Sequence, residues 1–167
     1  MIKDSRNAVL TGGCQCGAIR YAIYAMPTEG YVCHCRMCQK AVGGPFLTVA
    51  PVALADFAWT RGTPKIYRSS NIAVRDFCGD CGTPLSYRGD NSGRINVTLG
   101  SLDHPELRPP TLQYDLDARI AWAGHMDSLP GQHDAGLTSE VEARLVSLQH
   151  PDRETPDGWR PSEGGAN

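Results

Sequence analysis

The chain has 167 residues, 41% hydrophobic and 20% charged, with a formal net charge of −2, a combination that predicts one globular domain and excludes extensive disorder. The near-neutral charge gives no electrostatic reason to expect nucleic acid as a partner, and no apolar run reaches the roughly 18 to 20 residues of a membrane-spanning helix. Residues 1–10 also lack the apolar core of a secretory signal. We therefore expect a cytoplasmic protein with no nucleic-acid or membrane partner, of an oligomeric state that the sequence does not fix.

Short strands joined by tight turns are predicted along most of the chain. Segments of alternating or β-branched residues occur at 18–25, 46–52, 65–69, 72–77, 84–88, 94–99 and 119–123. Turn signals rich in Gly, Pro and Asn separate many of them, at 43–45, 61–64, 89–93 and 109–110. The pattern predicts a mainly β fold.

One helix is predicted near the C-terminus. Ser139 and Glu142 have capping-box spacing, and four apolar side chains share the helix face: Leu137, Val141, Leu145 and Leu148. After His150 the sequence becomes rich in Pro, Gly and charge. We predict a single domain over 1–150 and a flexible tail over 151–167, unless Trp159 docks against the domain.

The seven cysteines lie between positions 14 and 81, and residues 82–167 contain none. This uneven distribution argues against a disulfide framework, which would connect the chain along its length. The cysteines form three groups, Cys14-x-Cys16, Cys33-x-Cys35-x-x-Cys38 and Cys78-x-x-Cys81. Such groups favour metal binding.

The first and last groups together offer four sulfurs. Positions i and i+2 of an extended chain point to the same face, so Cys14 and Cys16 can meet one ion. A C-x-x-C pair does the same through a turn, for which Gly79 and Gly82 supply a permissive backbone. We predict a closed, structural four-sulfur site that suits zinc, with iron as the alternative metal.

The middle group leaves Cys33, Cys35 and Cys38. Three protein ligands and an open coordination position are typical of catalytic zinc. A histidine could instead complete the site: His34, His104, His125 or His133, although His34 on a strand would point away from its neighbouring cysteines. A redox pair without metal, or a different division of the seven sulfurs, also remains open from spacing alone.

Three segments carry a resemblance to a known family: GGCQCGAIRY (12–21), CHCRMCQKAVGGPF (33–46) and DFCGDCGTPL (76–85). They resemble the signatures of the glutathione-dependent formaldehyde-activating enzyme family, which also includes centromere-protein-V-like proteins, over about residues 10–130. The resemblance implies an Mss4-like fold of antiparallel β-sheets around two zinc sites. It places a structural zinc on Cys14, Cys16, Cys78 and Cys81, and a labile, catalytic zinc on Cys33, Cys35 and Cys38.

The activity implied by the resemblance is condensation of glutathione with formaldehyde, or carbon–sulfur lyase cleavage in reverse, so the expected partners are a small thiol and an aldehyde. Arg36 and Lys40 would bind a glutathione carboxylate, with solvated surface charge as the alternative. Arg119 stands where the family often has histidine, which would change specificity if that region shapes the substrate pocket, and Trp122 is expected in the core. The competing functions are a zinc-stabilised binding or chaperone module without catalysis and, third, a nucleic-acid-binding zinc ribbon.

Overall fold

The structure, a computed structural model, describes residues 6–132 and 136–159 and is mainly β, as predicted. Its described strands are β1 Leu10–Gly13, β2 Arg20–Ile23, β3 Tyr31–Cys33, β4 Leu47–Ala53, β5 Phe57–Arg61, β6 Lys65–Ser70, β7 Ala73–Phe77, β8 Pro84–Gly89, β9 Arg94–Thr98 and β10 Leu112–Tyr114. The α-helices are α1 Arg36–Val42 and α2 Ser139–Glu142. Neither of these two described helices is long and apolar enough to span a bilayer.

The strands form two sheets, of order β1-β2-β5 and β10-β3-β4-β9-β8-β7-β6. Neighbouring strands are antiparallel, except that β10 pairs with β3 in parallel and sets Tyr114 opposite Cys33. The larger sheet is therefore mostly antiparallel, as expected, with one parallel pair at its edge. The parallel pair matters for the site, because it places the residue that follows β10 beside Cys33.

Six of the seven predicted strand segments contain strands, and the seventh, 119–123, is wrong. That segment forms a 3₁₀ turn over Ala121–Gly124. A strand needs a partner for its backbone groups, and β10 already occupies the edge of the sheet beside β3. Trp122, expected in the core, is 57% exposed.

The core divides into two clusters, each of which contains one group of cysteines. The larger cluster lies between the sheets, includes the fully buried Tyr21, Ile23 and Leu85, and ends at Cys14 and Cys78. The smaller cluster consists of Cys33, Cys38, Leu47 and Val49. The two cysteine groups are thus held by different parts of the core.

The predicted C-terminal helix is present but shorter than its apolar pattern. Thr138, not Ser139, caps it by accepting a hydrogen bond from the backbone N–H of Val141. The helix ends at Glu142, and the predicted apolar face is exposed, with Leu145 at 67% and Leu148 at 68%. A helix of one turn presents no continuous apolar face, so the prediction that the four apolar side chains share one helix face is wrong.

Residues 149–159, here called the C-terminal strap, contact the domain. His150 is buried, and its backbone N–H donates to the carbonyl oxygen of Gln15 at 2.7 Å. The centroids of the His150 and Trp159 rings are 4.7 Å apart. Arg61 donates to the backbone carbonyl of Thr155. The strap therefore contacts the domain through His150 and Thr155, and Trp159 packs against His150; residues 160–167 lie outside the described part of the chain.

Candidate metal centres

Four sulfurs meet where the two sheets adjoin. The Sγ atoms of Cys14, Cys16, Cys78 and Cys81 all lie within 4.8 Å of one another. The Sγ atoms of Cys14 and Cys16 are 3.5 Å apart, and those of Cys16 and Cys78 are 3.8 Å apart. Tetrahedral zinc with Zn–S bonds of about 2.3 Å separates its sulfurs by about 3.8 Å, so this donor set fits zinc.

Two turns position these sulfurs. β1 ends at Gly13, so Cys14 and Cys16 lie in a turn and not on the extended strand that we expected. In this turn Cys14 Sγ accepts a hydrogen bond from the backbone N–H of Ile19 at 3.2 Å. In the second turn Gly82 adopts φ 79° and its N–H donates to the carbonyl oxygen of Cys78 at 3.0 Å, a conformation that favours glycine.

The C-terminal strap covers the first of these turns. Gly17 has φ 75°, and a Cβ atom there would overlap the imidazole of His150. His150 Nε2 is hydrogen-bonded to Thr155 Oγ1 at 2.7 Å. The strap therefore packs against the turn that carries Cys14 and Cys16, and a cavity of about 250 Å³ remains beside it, lined by Cys14, His150 and Asp152 among others.

The other three sulfurs meet at the start of α1. Cys33 ends β3, Cys35 is the N-cap of α1 and Cys38 lies in its first turn, with the three Sγ atoms within 4.8 Å of one another. Sequence reasoning missed α1. Two features bound this helix. At its start, Cys35 Sγ accepts a hydrogen bond from the backbone N–H of Cys38, and at its end Gly43 adopts φ 64°. Of the two, Gly43 is the signal that could have been found in the sequence.

No histidine belongs to this three-sulfur group among the described residues. His34 is buried, its Nε2 is hydrogen-bonded to Gln113 Oε1 at 2.9 Å, and its ring lies against Phe46. His104 is exposed beside Glu106. His125 is absent from the group as well, and His133 lies outside the described residues.

Two charged residues that sequence reasoning missed contact these sulfurs. Arg75 Nη2 donates to Cys38 Sγ at 3.3 Å, and Cys33 Sγ donates to Asp115 Oδ2 at 3.3 Å. Asp115 follows β10 and adopts φ 56°, which is uncommon for a residue other than glycine. Both contacts depend on strand pairing between distant segments, which no local motif reports.

Two cavities flank the three sulfurs. One, of about 550 Å³, is lined by Cys33, Cys38 and Asp115, among others. The other, of about 600 Å³, is lined by Arg36 and Lys40 but by no cysteine. Met37, Leu47 and Arg75 border both cavities. The predicted carboxylate-binding residues therefore lie beside the sulfur-lined cavity and not in it, and Arg119 lines neither cavity.

Without a metal, burial and hydrogen bonds shift the pKa values of the cysteine thiols in different directions. Burial raises the pKa of Cys33 and of Cys38, and raises that of Cys14 to about 12. Burial also raises the pKa of Cys81, but the hydroxyl of Thr83 outweighs it together with other hydrogen bonds, and the pKa falls to about 6. Because metal binding must displace thiol protons, occupancy of either site is expected to fall as pH falls.

Comparison with known proteins places the cysteine region in a family and the chain in a fold. The family model described as glutathione-dependent formaldehyde-activating enzyme matches residues 9–116, which contain all seven cysteines. A crystal structure of a Rhodobacter sphaeroides protein, a structural-genomics target, is similar with a TM-score of 0.51 and 20% sequence identity, over 62% of this chain and 98% of that chain. That identity supports a common fold alone. A search of curated proteins found no match.

Proposed function

The chain belongs to the glutathione-dependent formaldehyde-activating enzyme family, and we propose that it joins a small thiol such as glutathione to a small aldehyde such as formaldehyde, or catalyses the reverse cleavage. The observation that carries this proposal is that Cys33 and Cys38 line a cavity of about 550 Å³, whereas Cys14 of the four-cysteine group lines a smaller one of about 250 Å³ beside the strap. A reactant can therefore approach the sulfurs of Cys33 and Cys38.

The proposed division of labour follows from the number of sulfurs in each group. Four thiolates satisfy tetrahedral zinc, so Cys14, Cys16, Cys78 and Cys81 would hold a structural ion. Cys33, Cys35 and Cys38 would hold a second, more labile ion. With an ion held by these three cysteines, the site would offer one further position for an external thiol and would favour the deprotonated form of that thiol.

In the proposed addition, the substrate sulfur forms a bond to the carbonyl carbon. The carbon–oxygen π bond breaks, and the proton lost by the thiol is balanced by one gained at the former carbonyl oxygen. Tyr31 and Tyr114, whose rings meet edge to face at 5.0 Å, form an aromatic wall of the cavity, and the Tyr31 hydroxyl donates to Asn96 Oδ1. These side chains would orient the reactants against the sulfurs and limit access of water.

The second cavity supplies the proposed site for a substrate carboxylate. Arg36, Lys40 and Arg75 border it, and its described acidic residue, Asp76, already accepts two hydrogen bonds from Arg88 and one from Ser86. Asp76 is therefore engaged by Arg88 and Ser86, and the positive charges of Arg36 and Lys40 remain able to bind an anionic ligand. A thiol with a carboxylate several bonds from its sulfur, as in glutathione, could bridge the two cavities past Arg75.

A noncatalytic binding module is the second candidate. The edge strand β6 favours it, because Ile66 and Tyr67 are 61% and 63% exposed there, as an interaction surface would require. Under this hypothesis the three-cysteine group would have no role in turnover.

Metal analysis and turnover of the Cys35→Ser variant separate the two candidates. If the protein is an enzyme, we expect two zinc equivalents in the wild type and one in Cys35→Ser. In an NMR exchange experiment, the wild type should accelerate glutathione–formaldehyde exchange above the uncatalysed rate, and Cys35→Ser should not. If the wild type binds both zinc equivalents but does not accelerate the exchange, the enzymatic proposal is excluded.

The carboxylate site has its own test with a matched control. Losing one charged hydrogen bond from Arg36→Gln or Lys40→Gln is expected to raise KM for glutathione about tenfold, with little change for 2-mercaptoethanol, which has no carboxylate. Lys65→Gln is the control, since Lys65 lines neither cavity. Equal changes for both thiols would contradict the assignment.

A further inference from the structure

We propose that Arg75 is a positioning residue of the three-cysteine site, whose guanidinium stabilises the bound metal through the sulfur of Cys38. The inference rests on the proposed metal site of Cys33, Cys35 and Cys38, but not on the identity of the thiol or the aldehyde.

Contacts from the strands on both sides fix the Arg75 side chain. Arg75 lies on β7, where it pairs with Tyr67 of β6 and Tyr87 of β8. Its Nε donates to Ser69 Oγ at 3.0 Å, and its guanidinium lies over the Tyr87 ring, 5.1 Å from the centroid. With Nε and the planar face engaged, Nη2 is directed at Cys38 Sγ at 3.3 Å. The guanidinium is therefore held in place before any ligand arrives.

The charge of the site gives this contact its role. Three thiolates around a divalent ion leave one excess negative charge, and the carboxylate of Asp115 lies close to Cys33. Arg75 donates to a sulfur of the group, and no other described arginine, lysine or histidine side chain has a hydrogen bond to these three sulfurs. Hydrogen bonds between charged groups are the stronger ones, and Arg75 brings one positive charge to the excess negative charge.

Loss of the hydrogen bond from Arg75 is expected to lower the affinity of the three-cysteine site for its metal ion. A hydrogen bond to a metal-bound sulfur reduces the negative charge that the sulfur carries, and loss of an outer-shell partner typically lowers metal affinity by about 10- to 100-fold. The four-sulfur site has no contact with Arg75 among the described residues and should keep its affinity. Arg75 is thus expected to set the affinity of one site and not of the other.

The test measures zinc affinity by chelator competition in the full-length protein, together with the sulfur-to-metal charge-transfer bands after cobalt substitution. Arg75→Gln is expected to lower the affinity of one equivalent by about 10- to 100-fold and to shift the cobalt bands, with the second equivalent unchanged. Arg75→Lys keeps the charge but not the fork of donors and should fall between Arg75→Gln and the wild type. Arg68→Gln is the matched control, because Arg68 lies on β6, pairs with Asp90 and has no cysteine contact.

Cys35→Ser identifies which equivalent belongs to the three-cysteine group. If Cys35→Ser removes one equivalent while Arg75→Gln and Arg75→Lys leave zinc affinity within about twofold and the cobalt bands in place, the role of Arg75 is refuted and the metal site stands. If Cys35→Ser removes no equivalent, both the proposed metal site and the role of Arg75 are refuted. Arg75→Lys also serves where Arg75→Gln fails to fold.

Discussion

The two cysteine groups differ in how far apart their members lie along the chain and in what covers them. The four-sulfur group joins Cys14 and Cys16 of one turn to Cys78 and Cys81 of a turn about sixty residues away, and the C-terminal strap packs over the first turn. The three-sulfur group lies within six residues and borders an open cavity. A long-range group packed against the strap suits a structural role, and a local group beside the larger cavity suits chemistry.

The difference in span has an energetic consequence. An ion shared by the distant turns would hold β1 of the smaller sheet against β7 and β8 of the larger one, so its loss would release a long loop. An ion held by β3 and the first turn of α1 would close a loop of a few residues. Because the entropy of loop closure grows with loop length, the two sites should contribute very differently to stability.

The largest expected effect is therefore the loss of the fold on Cys78→Ser. Cys78 is 1% exposed and belongs to the larger core cluster, and binding of structural zinc contributes on the order of 10 kcal/mol in small zinc domains. Circular dichroism and urea unfolding should show an unfolded or strongly destabilised chain. Cys35→Ser is the comparison and should remain folded; similar stability of the two variants would remove the proposed contrast between the sites.

The second expected effect comes from the ion pair beneath the strap. Arg20 and Asp103 are buried side chains joined by hydrogen bonds of 2.8 and 2.5 Å, and Glu154 of the strap lies 3.4 Å from Arg20. Asp103→Ala leaves the arginine buried without its partner, which costs about 3–5 kcal/mol in the free energy of unfolding.

Asp90→Ala is the control for that change. Asp90 pairs with Arg68 at the surface, where an ion pair contributes roughly 0–1 kcal/mol. Urea unfolding of both variants should separate them clearly. Equal losses of stability would mean that the buried pair of Arg20 and Asp103 contributes no more to the free energy of unfolding than the surface pair does.

The third effect concerns the strap itself. Gly17→Ala combines an unfavourable positive φ with overlap between the new methyl group and His150, so we expect a loss of about 1–3 kcal/mol and faster release of the four-sulfur zinc to a chelator. Gly100→Ala is the control, since a Cβ there meets no atom within 4 Å. If the rate of zinc release is the same in both variants, the strap does not protect the site.

The sequence predicts those parts of the molecule that local chemistry decides. The C-x-x-C turn with Gly82 is readable because spacing and one permissive residue suffice, and six strands follow from alternation. Four strands were missed: β1, β3, β5 and β10. LTGG of β1 offers no alternation, and β3 and β10 have three residues each and pair with one another. Fold class and cysteine grouping were thus available from the sequence, and these four strands were not.

The surroundings of the three sulfurs were beyond sequence reasoning for a related reason. Arg75 reaches Cys38 across 37 positions, and Asp115 reaches Cys33 across 82, in both cases through the order of strands in the sheet. Arg36 and Lys40 were chosen because they adjoin the cysteines in sequence, but α1 turns them toward the neighbouring cavity. Adjacency along the chain identified the ligand candidates, and the order of strands in the sheet decides that Arg75 and Asp115 contact them.

The smallest effect we predict is a pH dependence of the strap. Burial lowers the pKa of His150, the charges of Arg20 and Arg61 lower it further, and Asp103 opposes them. The folded state therefore prefers the neutral ring, whose contribution to stability is fully present above the unfolded pKa of about 6.5 and is lost as pH falls toward the folded pKa, by at most about 1.4 kcal/mol per pH unit. Zinc-loaded His150→Gln keeps a polar side chain without this proton site, so the difference in unfolding free energy between it and the wild type should shrink from pH 7.5 to pH 5.5. Metal loss at low pH affects both proteins alike and cancels in that difference; a difference that stays constant across the range would show that the buried imidazole does not couple strap docking to protonation.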